Sequence, residues 1–245
     1  MEHNWSIIQL NSADSTNTYA KGLIAENKVS GELVVNTLSQ LQGRGLGTNS
    51  WVSAPFTNLT FSIILEPKYL KADMQFYISQ AVSLGITDFL THCKINSRIK
   101  WPNDVLIGRK KIAGILIENT ILGNSLQYSI VGIGLNVNQE NFLQLADIAV
   151  SMKNATGQQY NLDFVLHELL NCIFERIDEL KSGHYEKLKE NYLSNLYQFR
   201  KWGQYACGEL EFKGMIKDVL PTGELLIIDE SGKDHTFLFK EIEFL

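Results

Sequence analysis

Only three cysteines occur in 245 residues, Cys93, Cys172 and Cys207, and they lie far apart. An odd and scattered set argues against a disulfide framework or a zinc knuckle and fits a reducing cytoplasm. No apolar run reaches the roughly 18 residues that a membrane helix needs. The longest near-continuous runs, such as Phe61–Leu65, are strand-sized. The opening Met1-Glu2-His3-Asn4 lacks the basic-then-apolar order of a secretory signal. Basic residues are outnumbered, 22 against 27, so the basic field of a nucleic-acid-binding protein is missing. The five histidines, His3, His92, His167, His184 and His235, form no Ser/His/Asp or Cys/His signature. Internal repeats and low-complexity segments are also absent. What remains is ordinary globular composition, with 44% hydrophobic and 20% charged residues. A chain of this length buries a core without disulfides and divides into one large or two small domains.

The first part of the chain reads as mixed α and β. Glu32–Thr37 and Asn58–Leu65 are β-branched and apolar enough for strands. Between them, the Gly-rich stretch Gln40–Asn49 is a loop. From Met74 to Cys93, apolar residues recur at three and four, which predicts a helix with one buried face. Strand-like runs follow at Ile95–Trp101, Val105–Ile107, Ile112–Glu118 and Tyr128–Leu135, with a hairpin turn at Gly108-Arg109-Lys110. Asn161 or Asp163 caps a second long helix, and Tyr185–Leu196 forms a third. After Trp202, short β runs alternate with turn signals and predict a small all-β barrel. The expected division is 1–197 for a helix-packed mixed-sheet unit and 198–245 for the β module. The fold class is therefore α+β.

Four polar clusters interrupt these elements. Asp14-Ser15-Thr16-Asn17 stands before a helix expected over Thr18–Ala25. Its side chains either cap that helix or bind a small polar head group. In Gln40 to Thr48, three glycines surround Arg44, and Trp51 follows. Glycines let the backbone take positive φ and approach a ligand, and Arg44 offers planar recognition of phosphate or carboxylate. The glycine spacing matches neither a Walker loop nor a dinucleotide fingerprint, and a flexible hairpin is the alternative. In Lys100-Trp101-Pro102-Asn103-Asp104, Pro102 ends a strand and exposes Asn103 and Asp104. Lys111 opens the apolar run that follows, either as a point charge on an anion or as an edge lysine. Val131-Gly132-Ile133-Gly134-Leu135-Asn136-Val137-Asn138 is a strand thinned by glycine so that a ligand or another backbone can come close, or one that simply twists and ends in an Asn turn.

In their order and separations these clusters resemble the catalytic domain of biotin protein ligases. Ser-Thr-Asn, Gly-Arg-Gly, Lys-Trp-Pro-Asn-Asp and Gly-x-Gly-x-Asn are all present. So is Lys-x-Ala-Gly-Ile-Leu-x-Glu, at Lys111, Ala113–Leu116 and Glu118. The likeness covers roughly residues 12–195, and the C-terminal module is similar to the family's SH3-like β-barrel. It implies an ATP-dependent ligase of the cytoplasm. Such an enzyme makes biotinyl-5′-AMP from biotin and Mg²⁺-ATP and passes biotin to a lysine of a biotin carboxyl carrier domain. It implies Ser15, Thr16, Asn17, Gln40, Arg44, Gly45, Leu46, Lys111 and Gly114 around biotin. Arg44, Trp51, Asn103, Lys111 and Asn136 fall to the nucleotide. Lys111, Arg44 and Asp104 are the catalytic set, with Asp104 also the candidate metal ligand. The likeness allows a homodimer without establishing one. Only 14 residues precede Ser15, too few for the DNA-binding module of the regulatory branch, so no DNA and no membrane partner are expected.

Two rivals accompany this reading: a lipoate ligase of the same architecture, and a biotin- or adenylate-binding module without ligase activity. The glycine loop also departs from the family pattern. Leu46 and Asn49 stand where the family often places polar or arginine side chains. One charge-assisted contact, worth ~1.5–3 kcal/mol in general, is thereby missing and implies looser retention of the adenylate. Leu46→Arg should slow release of labelled intermediate, and equal off-rates in variant and wild type would contradict that.

Overall fold

The structure, a computed structural model, describes residues 5–245. His3 and the rest of the opening tetrapeptide lie outside them. Seven strands form a mixed sheet. They are β1 (Trp5–Leu10), β2 (Glu32–Thr37), β3 (Leu59–Leu65), β4 (Arg98–Lys100), β5 (Asp104–Ile107), β6 (Lys110–Leu122) and β7 (Ser125–Leu135). Their order is β1-β2-β3-β7-β6-β5-β4, parallel between β1 and β2 and antiparallel elsewhere. Strand β1 is additional to the expected set, although Trp5, Ile7 and Ile8 are the kind of residues a strand uses. Strands β6 and β7 run past the expected ends and turn at Gly123, whose φ of +61° suits glycine. The run at Ile95–Trp101 shortens to Arg98–Lys100.

Among the described residues five α-helices accompany the sheet: α1 (Thr16–Ala25), α2 (Phe76–His92), the short α3 (Met152–Thr156), α4 (Leu162–Lys181) and α5 (Tyr185–Asn195). Asn161 caps α4 by accepting from the Phe164 N–H at 2.9 Å. The expectation of a single buried face on α2 is not met. Nearly every residue from Phe76 to Leu90 is buried, including Ser79, Gln80, Ser83 and Thr87. The hydroxyls survive there by bonding back into the helix. Ser83 donates to the Ser79 carbonyl at 2.7 Å, and Thr87 to the Leu84 carbonyl at 2.8 Å. At Gly85 a Cβ would meet Ile173 Cα at 2.6 Å, so glycine sets how closely α2 and α4 cross.

A second, five-stranded antiparallel sheet follows: β8 (Trp202–Cys207), β9 (Leu210–Val219), β10 (Leu225–Asp229), β11 (Asp234–Phe237) and β12 (Glu243–Phe244), in the order β11-β10-β9-β8-β12. One apolar core runs from Val34 in the first sheet to Ile227 and Phe237 in the second. Trp101 fastens the join. Its indole N–H donates to the Gly223 carbonyl at 2.8 Å, and its ring meets Phe239 edge-on at 5.5 Å. Lys189 and Asp218 pair across the same join at 2.7 Å. Among the described residues no helix is long and apolar enough to cross a membrane.

Candidate active site

Strand register lays out the floor of the site. Thr60, Gly134, Gly114, Asp104 and Lys100 are successive cross-strand partners on β3, β7, β6, β5 and β4. Directly paired residues face the same side of a sheet, so this row crosses it with a bare middle and a charged end. Trp51 lies over the bare part. A Cβ at Gly134 would come 2.2 Å from Trp51 Cε2, and one at Gly114 would come 3.1 Å from Trp51 Cζ3. One step along, a Cβ at Gly132 would strike Asn17 Oδ1 at 2.3 Å. The glycines therefore mark where side chains from above reach the sheet.

Helix α1 starts two residues earlier than the sequence suggests, which places Thr16 and Asn17 inside its first turn. Ser15 occupies the N-cap position with extended backbone but makes no side-chain cap bond. The polar side chains look into the cavity floor instead. Asn17 Nδ2 donates to the Glu118 carboxylate at 2.8 Å and to the Leu116 carbonyl at 3.2 Å. Buried Ser62 Oγ stands 2.6 Å from Asn17 Oδ1 and 2.7 Å from Thr16 Oγ1. Gln40 Oε1 accepts from the Thr16 N–H at 3.0 Å, so the glycine loop begins clamped to α1.

That loop closes on itself. Gly45 N–H donates to Asn49 O at 2.7 Å, and Trp51 N–H to Gly43 O at 2.9 Å. Of Gly43, Gly45 and Gly47, only Gly47 has positive φ, at +65°. Gly43 is required for close approach instead, since a Cβ there would lie 2.2 Å from Trp51 O. Arg44 reaches back to Glu118 in a two-pronged pair, at 2.7 and 3.2 Å. Lys21 joins the same carboxylate at 2.6 Å. Glu118 was not among the expected site residues, although it is the one acid in the Ile112–Glu118 run. Its charge is legible in sequence, but its convergence with Asn17, Lys21 and Arg44 is not.

Lys111 Nζ pairs with Asp104 Oδ1 at 2.6 Å and sits 5.5 Å from the Trp51 ring. Asn103 uses its amide locally, donating to the Ile115 carbonyl at 2.9 Å. These groups line a cavity of about 630 Å³ together with Ser15, Thr16, Asn17, Gln40, Arg44, Gly45, Leu46, Trp51 and Gly114. Asn136 stands apart from the rest of the expected set. It is buried outside the lining, and its Nδ2 donates to the carbonyls of Val150 at 3.1 Å and Lys111 at 3.4 Å. It thus steadies the Lys111 backbone. Four lining residues come from the far end of the chain: Lys240, Ile242, Glu243 and Phe244. No local motif announces them, because only the docking of the second sheet brings them here.

The cysteines stay outside this chemistry. Burial pushes the Cys172 thiol up to about 11, and Sγ lies 3.6 Å from His92 Nδ1, away from the cavity. Among the described residues no cluster of three or more His, Cys, Asp or Glu could hold a metal ion. Burial tends to raise the Glu118 carboxyl. Hydrogen bonds from Lys21, Arg44 and Asn17 outweigh it and hold the group below its ordinary value. A lowered folded value means stability that is present above the ordinary carboxylate range and lost as pH falls through the folded value. The stability gap between wild type and Glu118→Gln should therefore shrink from neutral pH to about pH 3 in urea melts. A gap constant with pH would contradict the pairing.

Residues 10–136 match the model of the biotin/lipoate A/B protein ligase family. The chain is 31% identical over 198 residues to the bifunctional ligase/repressor BirA of Bacillus spizizenii and 32% over 200 to that of Bacillus subtilis. Those matches take in 79% of this chain, but it spans only 57% of either relative's length. A biotin–[acetyl-CoA-carboxylase] ligase of Paracoccus denitrificans is 36% identical over 232 residues, covering 90% of this chain and 93% of that protein. The biotin protein ligase from Aquifex aeolicus, solved in complex with biotin and ATP, superposes with a TM-score of 0.81 at 28% identity over 98% of both chains. This chain belongs to the biotin/lipoate A/B protein ligase family.

Proposed function

We propose that this chain is an ATP-dependent biotin protein ligase. It makes biotinyl-5′-AMP in the cavity and transfers biotin to one lysine of a biotin carboxyl carrier domain. The observation that carries this reading is the glycine-floored groove with Arg44 and Lys111 along its length. Biotin occupies the end built by Ser15, Thr16 and Asn17, with Gln40, Arg44, Gly45, Leu46, Lys111 and Gly114 around it. ATP lies against Trp51, Asn103 and Lys111. Asn136 is a positioning residue for the Lys111 backbone, not a direct contact. Residues 1–197 form the catalytic unit and 198–245 the β module that completes its cavity.

In the first step a biotin carboxylate oxygen attacks the α-phosphorus, and the bond to the β-phosphate oxygen breaks, releasing pyrophosphate. Two anions must meet, so the work is neutralisation and alignment, which need no protein nucleophile. Arg44 and Lys111 supply the positive charge. In the second step the acceptor lysine amine attacks the acyl carbon and AMP departs with the bonding pair. Asp104, already 2.6 Å from Lys111, is the carboxylate placed to receive the amine proton.

A magnesium ion fits this donor set. Mg²⁺ keeps most of its waters and takes one or two carboxylates beside substrate phosphates, so it needs no all-protein cage. Asp104 is the aspartate of the lining and would hold it. When bound, the ion neutralises phosphate charge.

The test is labelling of a carrier domain, with lipoate in place of biotin as the control. Biotin should label it in an ATP-dependent manner, and Lys111→Ala should reduce labelling at least about 100-fold. Preference for lipoate, or binding of biotin with no transfer, would support one of the two rival readings.

A further inference from the structure

The cavity holds two cations that no carboxylate claims. Arg44 is engaged by Glu118 and Lys111 by Asp104. Lys100 and Lys240 also line the cavity, and neither enters an ion pair among the described residues. Lys100 ends the cross-strand row next to Asp104, with its ammonium 5.2 Å from the Phe244 ring. Lys240 sits in the connection from β11 to β12, on the other sheet. Its Nζ rests on the glycine loop, where a Cβ at Gly47 would come within 2.1 Å of it. Along the groove the order is Asn17 over Gly132, Trp51 over Gly134 and Gly114, and the Lys111–Asp104 pair. Beyond them stands Lys100, on the last strand of the row, and Lys240 joins the lining from the second sheet, against the glycine loop at Gly47.

We propose that Lys240 binds the β- and γ-phosphates of ATP, and the pyrophosphate they become, with Lys100 as a second cation of the same lining. This rests on the reading that ATP occupies this cavity. When the carboxylate–phosphorus bond forms, the bond from the α-phosphorus to the bridging oxygen breaks, and the electron pair stays on pyrophosphate. Negative charge therefore grows on the leaving group. In-line displacement puts that group opposite the attacking carboxylate, here at the end away from Asn17. A cation already paired with a protein carboxylate must first exchange partners to meet that charge. Lys240 is exposed and free to do so directly. Its place on the loop also links phosphate occupancy to the position of Gly47.

The experiment uses the full chain and its Lys240→Ala and Lys240→Arg variants. Adenylate formation is followed with ATP and biotin varied in turn, together with product inhibition by pyrophosphate and equilibrium binding of biotin. Lys240→Ala should raise the KM for ATP and the inhibition constant of pyrophosphate about tenfold each, the order of one charge-assisted contact, while biotin binding changes less than about twofold. Lys240→Arg should restore most of the loss. Unchanged ATP and pyrophosphate constants in Lys240→Ala would overturn the proposal. So would equal weakening of ATP and biotin with a lowered Tm, the mark of a purely structural role in the loop. A wild-type chain that makes no biotinyl-adenylate would instead sink the functional reading itself, a failure visible without any variant.

Discussion

The site depends on a paired absence of side chains. Gly114 and Gly134 face each other across β6 and β7, and everything above the sheet is placed by the room they leave. Trp51 can lie on the backbone there only because no Cβ intervenes. Lys111 curls over the same spot, its Cε within 2.9 Å of where a Gly114 Cβ would be. Strand register then carries the row outward to Asp104 and Lys100. The floor is built from regular antiparallel strands, and the loop from Gln40 to Trp51 is held by Gln40 on α1 at one end and by Trp51 on the glycines at the other.

Above this floor two of the cations, Arg44 and Lys111, are each held by a carboxylate. The Arg44 side chain is exposed and those of Glu118, Lys111 and Asp104 are partly sheltered, so these pairs fix the positions of the charges more than they stabilise the fold. Glu118 collects Arg44, Lys21 and Asn17, and so ties the glycine loop, helix α1 and strand β6 to one carboxylate. Asp104 does the same for Lys111. Anionic substrates thus enter a site whose cations are already positioned, and they trade one set of negative partners for another. Preorganisation of this kind lowers the reorganisation needed during the reaction.

Much of this was legible in sequence, for reasons of scale. Strand and helix identities rest on local periodicity, and Asn161 caps α4 as its residue type predicts. The motif clusters converge on one cavity because each lies at the end of a strand, the start of a helix or the loop between. Three features escaped. Thr16 and Asn17 look like cap residues, yet their best partners, Ser62, Gln40 and Glu118, are remote in sequence. Asn136 sits in a motif with Gly132 and Gly134, but it follows the end of β7 and turns into the core. The C-terminal lining, Lys240 to Phe244, depends on docking through Trp101 and Phe239, which no local pattern encodes.

The glycine floor is tested most directly by adding one methyl group to it. Gly134→Ala, compared with Gly22→Ala on helix α1, where a Cβ meets nothing within 4 Å, isolates that clearance. The account predicts that Gly134→Ala keeps cooperative unfolding but slows biotinyl-adenylate formation by about 100-fold, the order expected when reacting groups are displaced by an ångström. Gly22→Ala should keep the wild-type rate. A Gly134→Ala enzyme that forms the adenylate at the wild-type rate would contradict the central role given to the floor.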